Sequence, residues 1–140
     1  MDESRLLPAE VVYFDEVQFG KFLDTLEADA KLATEVAMKK ILPRAKRIEA
    51  SKWVKPLGGP LMQFRIGPTT TAVMSRNMTP SGHIAQRQPL LVRVFFVCEG
   101  EHKIIVLHAY DKTKDRTRLS QQREIAEARR NLEKWSTSRG

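Results

Sequence analysis

The chain of 140 residues has one cysteine, two tryptophans and no long apolar run, and each shortage excludes something. Cys98 has no second thiol to bond, so an internal disulfide is ruled out. Its place in Val94-Phe95-Phe96-Val97-Cys98 marks it as a reduced packing residue. That run and Leu90-Leu91-Val92 are separated by Arg93, and neither approaches the roughly 20 apolar residues that cross a bilayer. Met1-Asp2-Glu3-Ser4-Arg5 lacks the basic start and apolar stretch of a secretory signal, so a cytoplasmic protein with no membrane partner is expected. One cysteine and three separated histidines offer no zinc spacing. Neither a Gly-x-x-x-x-Gly-Lys phosphate loop nor a Gly-x-Ser-x-Gly elbow occurs. No metal and no cofactor is therefore expected, and no helix pair has the short turn of a DNA-reading helix-turn-helix.

Carboxylates are scarce in one particular stretch. Between Glu49 and Glu99 there is none, while Lys52, Lys55, Arg65, Arg76, Arg87 and Arg93 fall there. Residues 1–35 carry nine acids against three bases, which leaves eight acids and twenty-one bases for the rest of a chain whose net charge is +7. Such polarity suits a protein whose later part faces a polyanion. A content of 41% hydrophobic and 29% charged residues is that of a folded domain rather than a disordered chain. The length fits one domain over residues 1–140 with one core.

Val11-Val12-Tyr13-Phe14 reads as a first strand. Asp15 stands where an N-cap would, with Gln18 three positions on and Phe19, Phe22, Leu23 and Leu26 at helical spacing. A second helix is expected from about Asp29, with Leu32, Val36, Ala37 and Ile41 on its apolar face and Pro43 near its end. Trp53 to Pro60 reads as a loop from its Pro and Gly content. Leu61 to Ile66 alternates as a strand does, with Met62, Phe64 and Ile66 on one face and Leu61, Gln63 and Arg65 on the other. Thr69 to Ser75 is strand-prone, and 76–89 reads as a long exposed loop. Leu91 to Cys98 and Lys103 to His108 form the clearest hairpin. Beyond Ser120, a candidate N-cap, Ile125, Ala128, Leu132 and Trp135 mark a last amphipathic helix. The expected fold is α+β in the order β-α-α-β-β-β-α: a helical hairpin on a small twisted antiparallel sheet, with a C-terminal helix.

Three segments in this order resemble one family. Lys55-Pro56-Leu57-Gly58-Gly59-Pro60-Leu61-Met62-Gln63-Phe64-Arg65-Ile66 is similar to a loop-and-strand motif written Lys-Pro-Leu-x-Gly, then Leu-x-Glu-Leu-Arg-Ile. Val92 to Phe96 with Ile105-Val106-Leu107-His108-Ala109-Tyr110-x-Lys112 resembles the next two strands and the lysine after them. Gln122 to Ala128 resembles the closing Arg-Glu-Ile-x-x-Ala pattern. The resemblance is to the RelE/ParE superfamily of toxins, in its phage-derived, HigB-like branch. Three departures stand out: Gln63 replaces a glutamate, the connection from Ile66 to Leu91 is long, and Leu119-Ser120 stands where a proline often precedes the last helix.

The resemblance implies a toxin of a type II toxin–antitoxin system, a metal-independent endoribonuclease that cuts messenger RNA on the ribosome, in its A site. It also implies an antitoxin partner with a helix-turn-helix region. Cutting RNA this way needs a base for the 2′-hydroxyl, a cation for the phosphorane charge and an acid for the leaving 5′-oxygen. Arginine suits the phosphate because its guanidinium bonds two oxygens at once. Arg65 and Arg93 have odd spacing from the core-facing residues of adjacent strands, so both point to the exposed sheet face. The resemblance adds Lys112. Lys55, Lys114, Arg116 and Arg118 are candidate substrate contacts. Histidine changes charge near neutral pH and His108 closes a strand; Tyr110 and Asp111 follow it. For these three the alternatives stay open: proton transfer, or a packing histidine, a wedge against the last helix and a turn-forming aspartate. Trp53 and Trp135 are candidates for base stacking, although helical spacing favours packing for Trp135. A ParE-like poison of DNA gyrase on the same fold, and a non-catalytic phage structural protein, are the competing expectations.

Overall fold

The computed structural model describes residues 8–44, 53–67, 91–100, 102–113 and 117–139. Strand β1 (Glu10–Tyr13) leads into helices α1 (Glu16–Asp24) and α2 (Ala28–Lys40), and a 3₁₀ turn follows at Leu42–Arg44. Strands β2 (Val54–Pro56), β3 (Met62–Ile66), β4 (Val92–Glu99) and β5 (Lys103–Asp111) come next, then helix α3 (Arg118–Arg139). The α+β class stands. The strand-prone 69–75 and the expected loop at 76–89 lie outside the described residues.

The sheet is mixed rather than antiparallel. Its order is β1-β5-β4-β3-β2, with β1 parallel to β5 and every other pairing antiparallel. A parallel neighbour needs a long crossover; α1, α2 and the intervening strands supply it, returning the chain so that β5 runs beside β1 in the same direction. Strand β2 also corrects an expectation, since Trp53 to Pro60 reads as loop. Val54–Pro56 pairs with β3 at the sheet edge, where the missing amide of Pro56 costs the ladder little. Gly58 and Gly59 take φ of 103° and 60°, a turn conformation open to glycine.

Alternation along the strands gives the sheet two buried faces. Phe64, Ile66, Val92, Val94, Phe96, Ile104 and Val106 lie under α1 and α2. Leu61, Phe95, Val97, Ile105 and Leu107 lie on the other face with Ala128, Ile125, Leu132 and Trp135 of α3. Helix α1 begins as expected, Asp15 accepting from the Gln18 amide at 2.9 Å. Helix α2 keeps most of its expected face inward, Ala37 and Ile41 buried and Val36 packed on the core, but Ala33, Thr34 and Met38 join them and Leu32 is 46% exposed. Thr117, not Ser120, caps α3, its hydroxyl accepting from the Ser120 amide at 3.1 Å.

Between β4 and β5 the register slips. Phe95 pairs with His108 but Phe96 with Val106, so Leu107 is the extra residue of a β-bulge. Two consecutive side chains then share a face: Leu107 packs in the α3-side core and His108 bonds to α3. Asn131 of α3 donates to the Leu107 carbonyl at 2.8 Å, satisfying the bulge from the helix.

Candidate functional site

Helix α3 covers only part of its face, and the strands beyond it carry polar side chains in two cross-strand rows. In the first, Arg65 of β3 is paired with Arg93 of β4, and Arg93 with Tyr110 of β5. In the second, Lys55 of β2 lies opposite Gln63, Gln63 opposite Phe95, and Phe95 opposite His108. Directly opposed residues lie about 5 Å apart at Cβ. Like charges at that distance repel, so the Arg65–Arg93 pair is an arrangement that stability alone does not select.

Burial sharpens the first row. Arg65 is exposed and Arg93 half-buried, the Arg93 Nη1 donating to the Val92 carbonyl at 3.2 Å. Burial lowers the Arg93 pKa; Tyr110 opposes the shift and Arg65 adds to it. Arginine keeps its charge through such a shift. Tyr110 is 8% exposed, and its hydroxyl has no hydrogen-bond partner among the described residues. Burial raises its pKa, Arg93 opposing and Glu124 adding, so the phenol stays protonated at neutral pH.

The second row holds the first in place. The Phe95 ring stacks on Tyr110, with centroids 5.8 Å apart and planes 4° apart. It also stacks on His108, at 6.1 Å and 8°. His108 Nε2 is bonded to the Glu124 carboxylate of α3. Gln63 is 2% exposed with its Nε2 unpartnered among the described residues. The chain therefore presents two guanidiniums, a buried phenol and a buried amide side by side.

The structure brings Arg65, Arg93, Tyr110, His108 and Lys55 to one face but separates Asp111 from them. Asp111 is opposite Val92, a residue of the core under α1 and α2, and its carboxylate accepts from the Thr113 amide at 2.9 Å and from the Thr113 hydroxyl. Lys112 carries the β4–β5 ladder one step past Val92–Asp111, its amide donating to the Leu91 carbonyl at 2.8 Å. Arg118 is exposed at the start of α3; Lys114 and Arg116 lie outside the described residues. Trp53 is buried beneath α2, and the indole of Trp135 donates to Glu99 at 3.0 Å, so both tryptophans are packing residues. Sequence reasoning missed Phe95 and Glu124. Phe95 shares the alternation of Arg93 and was legible as the spacer, whereas Glu124 meets His108 only through tertiary packing. Among the described residues no three His, Cys, Asp or Glu side chains gather as metal ligands would, and no helix is long and apolar enough to cross a membrane.

Residues 84–133 match the family model of phage derived protein Gp49-like (DUF891). That family is related to the RelE/HigB-type toxins, so the match has the phage-derived, toxin-like character that the sequence resemblance implies. The Gp49-like segment takes in β4, β5 and α3 as far as Glu133. It thus contains Arg93, His108, Tyr110 and Glu124, while Arg65 and Gln63 come from the strand before it. No curated protein and no solved structure matches the chain.

Proposed function

We propose that this protein is a toxin-type, metal-independent endoribonuclease of the HigB-like kind, acting on messenger RNA on the ribosome. The observation that carries the reading is the row Arg65–Arg93–Tyr110, two fixed cations beside a protonated phenol that no described residue satisfies. A phosphodiester laid across the row meets both guanidiniums at its non-bridging oxygens. The 2′-oxygen attacks the neighbouring phosphorus, Arg65 and Arg93 hold the added charge of the phosphorane, and the P–O5′ bond breaks as Tyr110 protonates the leaving oxygen. The 2′-hydroxyl proton passes to water, and the products are a 2′,3′-cyclic phosphate and a 5′-hydroxyl. Requiring the 2′-hydroxyl restricts the reaction to RNA. His108 acts as a positioning residue through Phe95. A cell that makes such an enzyme in its cytoplasm needs to silence it, which calls for an antitoxin; by the resemblance that partner carries a helix-turn-helix region.

The test is induced expression in bacteria of the wild type and of an Arg65→Ala/Tyr110→Phe variant shown to be folded, followed by mapping of message 5′-ends. Discrete new 5′-hydroxyl ends inside translated messages, absent with the variant, are the expected result. Growth arrest with intact messages and broken DNA would instead make the protein a gyrase poison, and the ribonuclease reading would fall.

A further inference from the structure

We propose that Gln63 selects the base beside the scissile phosphate, its side-chain amide donating to the Hoogsteen edge of a guanine. The inference rests on the reading of this face as an RNA site and names the base that the site takes. Gln63 is 2% exposed, and its Nε2 has no hydrogen-bond partner among the described residues. Its neighbours in the sheet show why. Lys55 lies opposite it on β2 and Phe95 opposite it on β4. Leu61 and Arg65 lie two residues away along the chain, on the same face. Lysine and arginine side chains only donate, and phenylalanine and leucine offer neither donor nor acceptor. A buried donor set among these four costs stability, a cost that persists where a ligand supplies the acceptor.

Position points to a base as that ligand. Gln63 stands about 7 Å from Arg65 along β3, so a nucleotide whose phosphate meets Arg65 has its base within reach of the amide. Lys55 and Arg65 flank the amide with long, exposed side chains, and a strand that engages both opens the space above it. Taken alone, a glutamine amide pairs with adenine, donating to N7 and accepting from the N6 amino group. Lys55 decides otherwise. Its ammonium only donates, and directly opposed residues lie about 5 Å apart at Cβ, so the pair offers two donors side by side. Guanine meets them with two acceptors, N7 and O6, whereas adenine sets its amino group against one of them. The family's motif has a glutamate where Gln63 stands. A carboxylate there would present acceptors only and turn the guanine edge away.

The experiment measures, by fluorescence anisotropy, how the full chain binds short 2′-deoxy oligouridylates with one central guanine, hypoxanthine, adenine or 7-deazaguanine. Lacking the 2′-hydroxyl, these probes bind without being cut. Guanine and hypoxanthine, which both keep N7 and O6, are expected to bind about tenfold more tightly than adenine or 7-deazaguanine. Gln63→Met keeps an unbranched side chain without the amide, so the preference should fall to about twofold or less while the urea midpoint holds or rises. Equal binding of all four probes by the wild type overturns the proposal, and that comparison needs no variant. It is overturned equally if Gln63→Met keeps the preference, or if it loses stability and affinity for every probe together, as a structural role would require. Cleavage of the matching all-ribose oligonucleotide tests the ribonuclease reading separately. Guanine preference without cleavage would remove that reading and keep Gln63 as the base contact; cleavage without preference would do the reverse.

Discussion

Tyr110 sits where a phenylalanine would pack as well, with its ring on Phe95 and its hydroxyl buried without a partner among the described residues. Leaving such a group unsatisfied costs about 1–3 kcal/mol, a cost that persists where function uses the group. Tyr110→Phe should therefore leave urea stability unchanged or raise it by about 1 kcal/mol, while RNA cleavage falls by about 100-fold or more. A large loss of stability would show instead that the hydroxyl is structural. The same burial carries a pH signature. It raises the Tyr110 pKa, with Arg93 opposing and Glu124 adding, so above about pH 10 the unfolded chain loses its phenolic proton first. Stability then falls as pH rises through the folded value. The fall should be shallower in Tyr110→Phe. Tyr13 has the same direction, from burial and then Glu16, so a Tyr13→Phe/Tyr110→Phe chain should flatten it further in alkaline thermal melts.

At the scale of elements, α2 shows how much a periodic reading conveys. Its helical period was legible and Val36, Ala37 and Ile41 face the core as expected, but the edge of the stripe was not, because it falls between the neighbours Leu32 and Ala33. The sheet accepts Ala33 and Ala37 at 0% exposure and leaves Leu32 at 46%. Ala33→Leu is expected to cost about 1–3 kcal/mol by overpacking, whereas Leu32→Glu should move stability by about half a kcal/mol or less. Denaturant titration of the two variants reads which of the two neighbours lies inside, and the reverse order of effects would put Leu32 there. The β4–β5 hairpin was the clearest reading from alternation, yet its bulge was not, since nothing local distinguishes Leu107 from the residues before it. The bulge matters to the site. It turns His108 to the α3 side, where Glu124 holds it and Phe95 stacks on it.

Across the whole molecule, the charge asymmetry of the chain becomes an asymmetry of faces. The described part of the acidic first third lies in β1 and the helices on one side of the sheet. The Arg65–Arg93 row and the arginine-rich α3 occupy the other. Single-stranded RNA should bind with an affinity whose logarithm falls linearly as log salt rises, each phosphate contact contributing about 0.7 to the slope. Arg65→Ala is expected to lower that slope by about that amount. Lys21→Ala, on α1, should leave it unchanged. Equal effects from both in a salt series of binding titrations would mean that RNA has no preferred face.

Local order was determined by the sequence alone, because local order depends on neighbours. The Asp15 cap, the alternation of β3 and β4 and the apolar stripe of α3 follow from spacings of two to four residues, and all are present. The same alternation placed Arg65 and Arg93 on one face. Applied strictly, it also separates Tyr110 from Asp111, since adjacent strand residues point to opposite sides. Everything that joins distant segments was decided by the tertiary structure. The parallel pairing of β1 with β5, the edge strand β2, the bulge and the meeting of His108 with Glu124 each set residues far apart in the chain against one another. No period in the sequence encodes those contacts, because they arise only when helices of fixed size must cover a sheet whose two faces are both apolar.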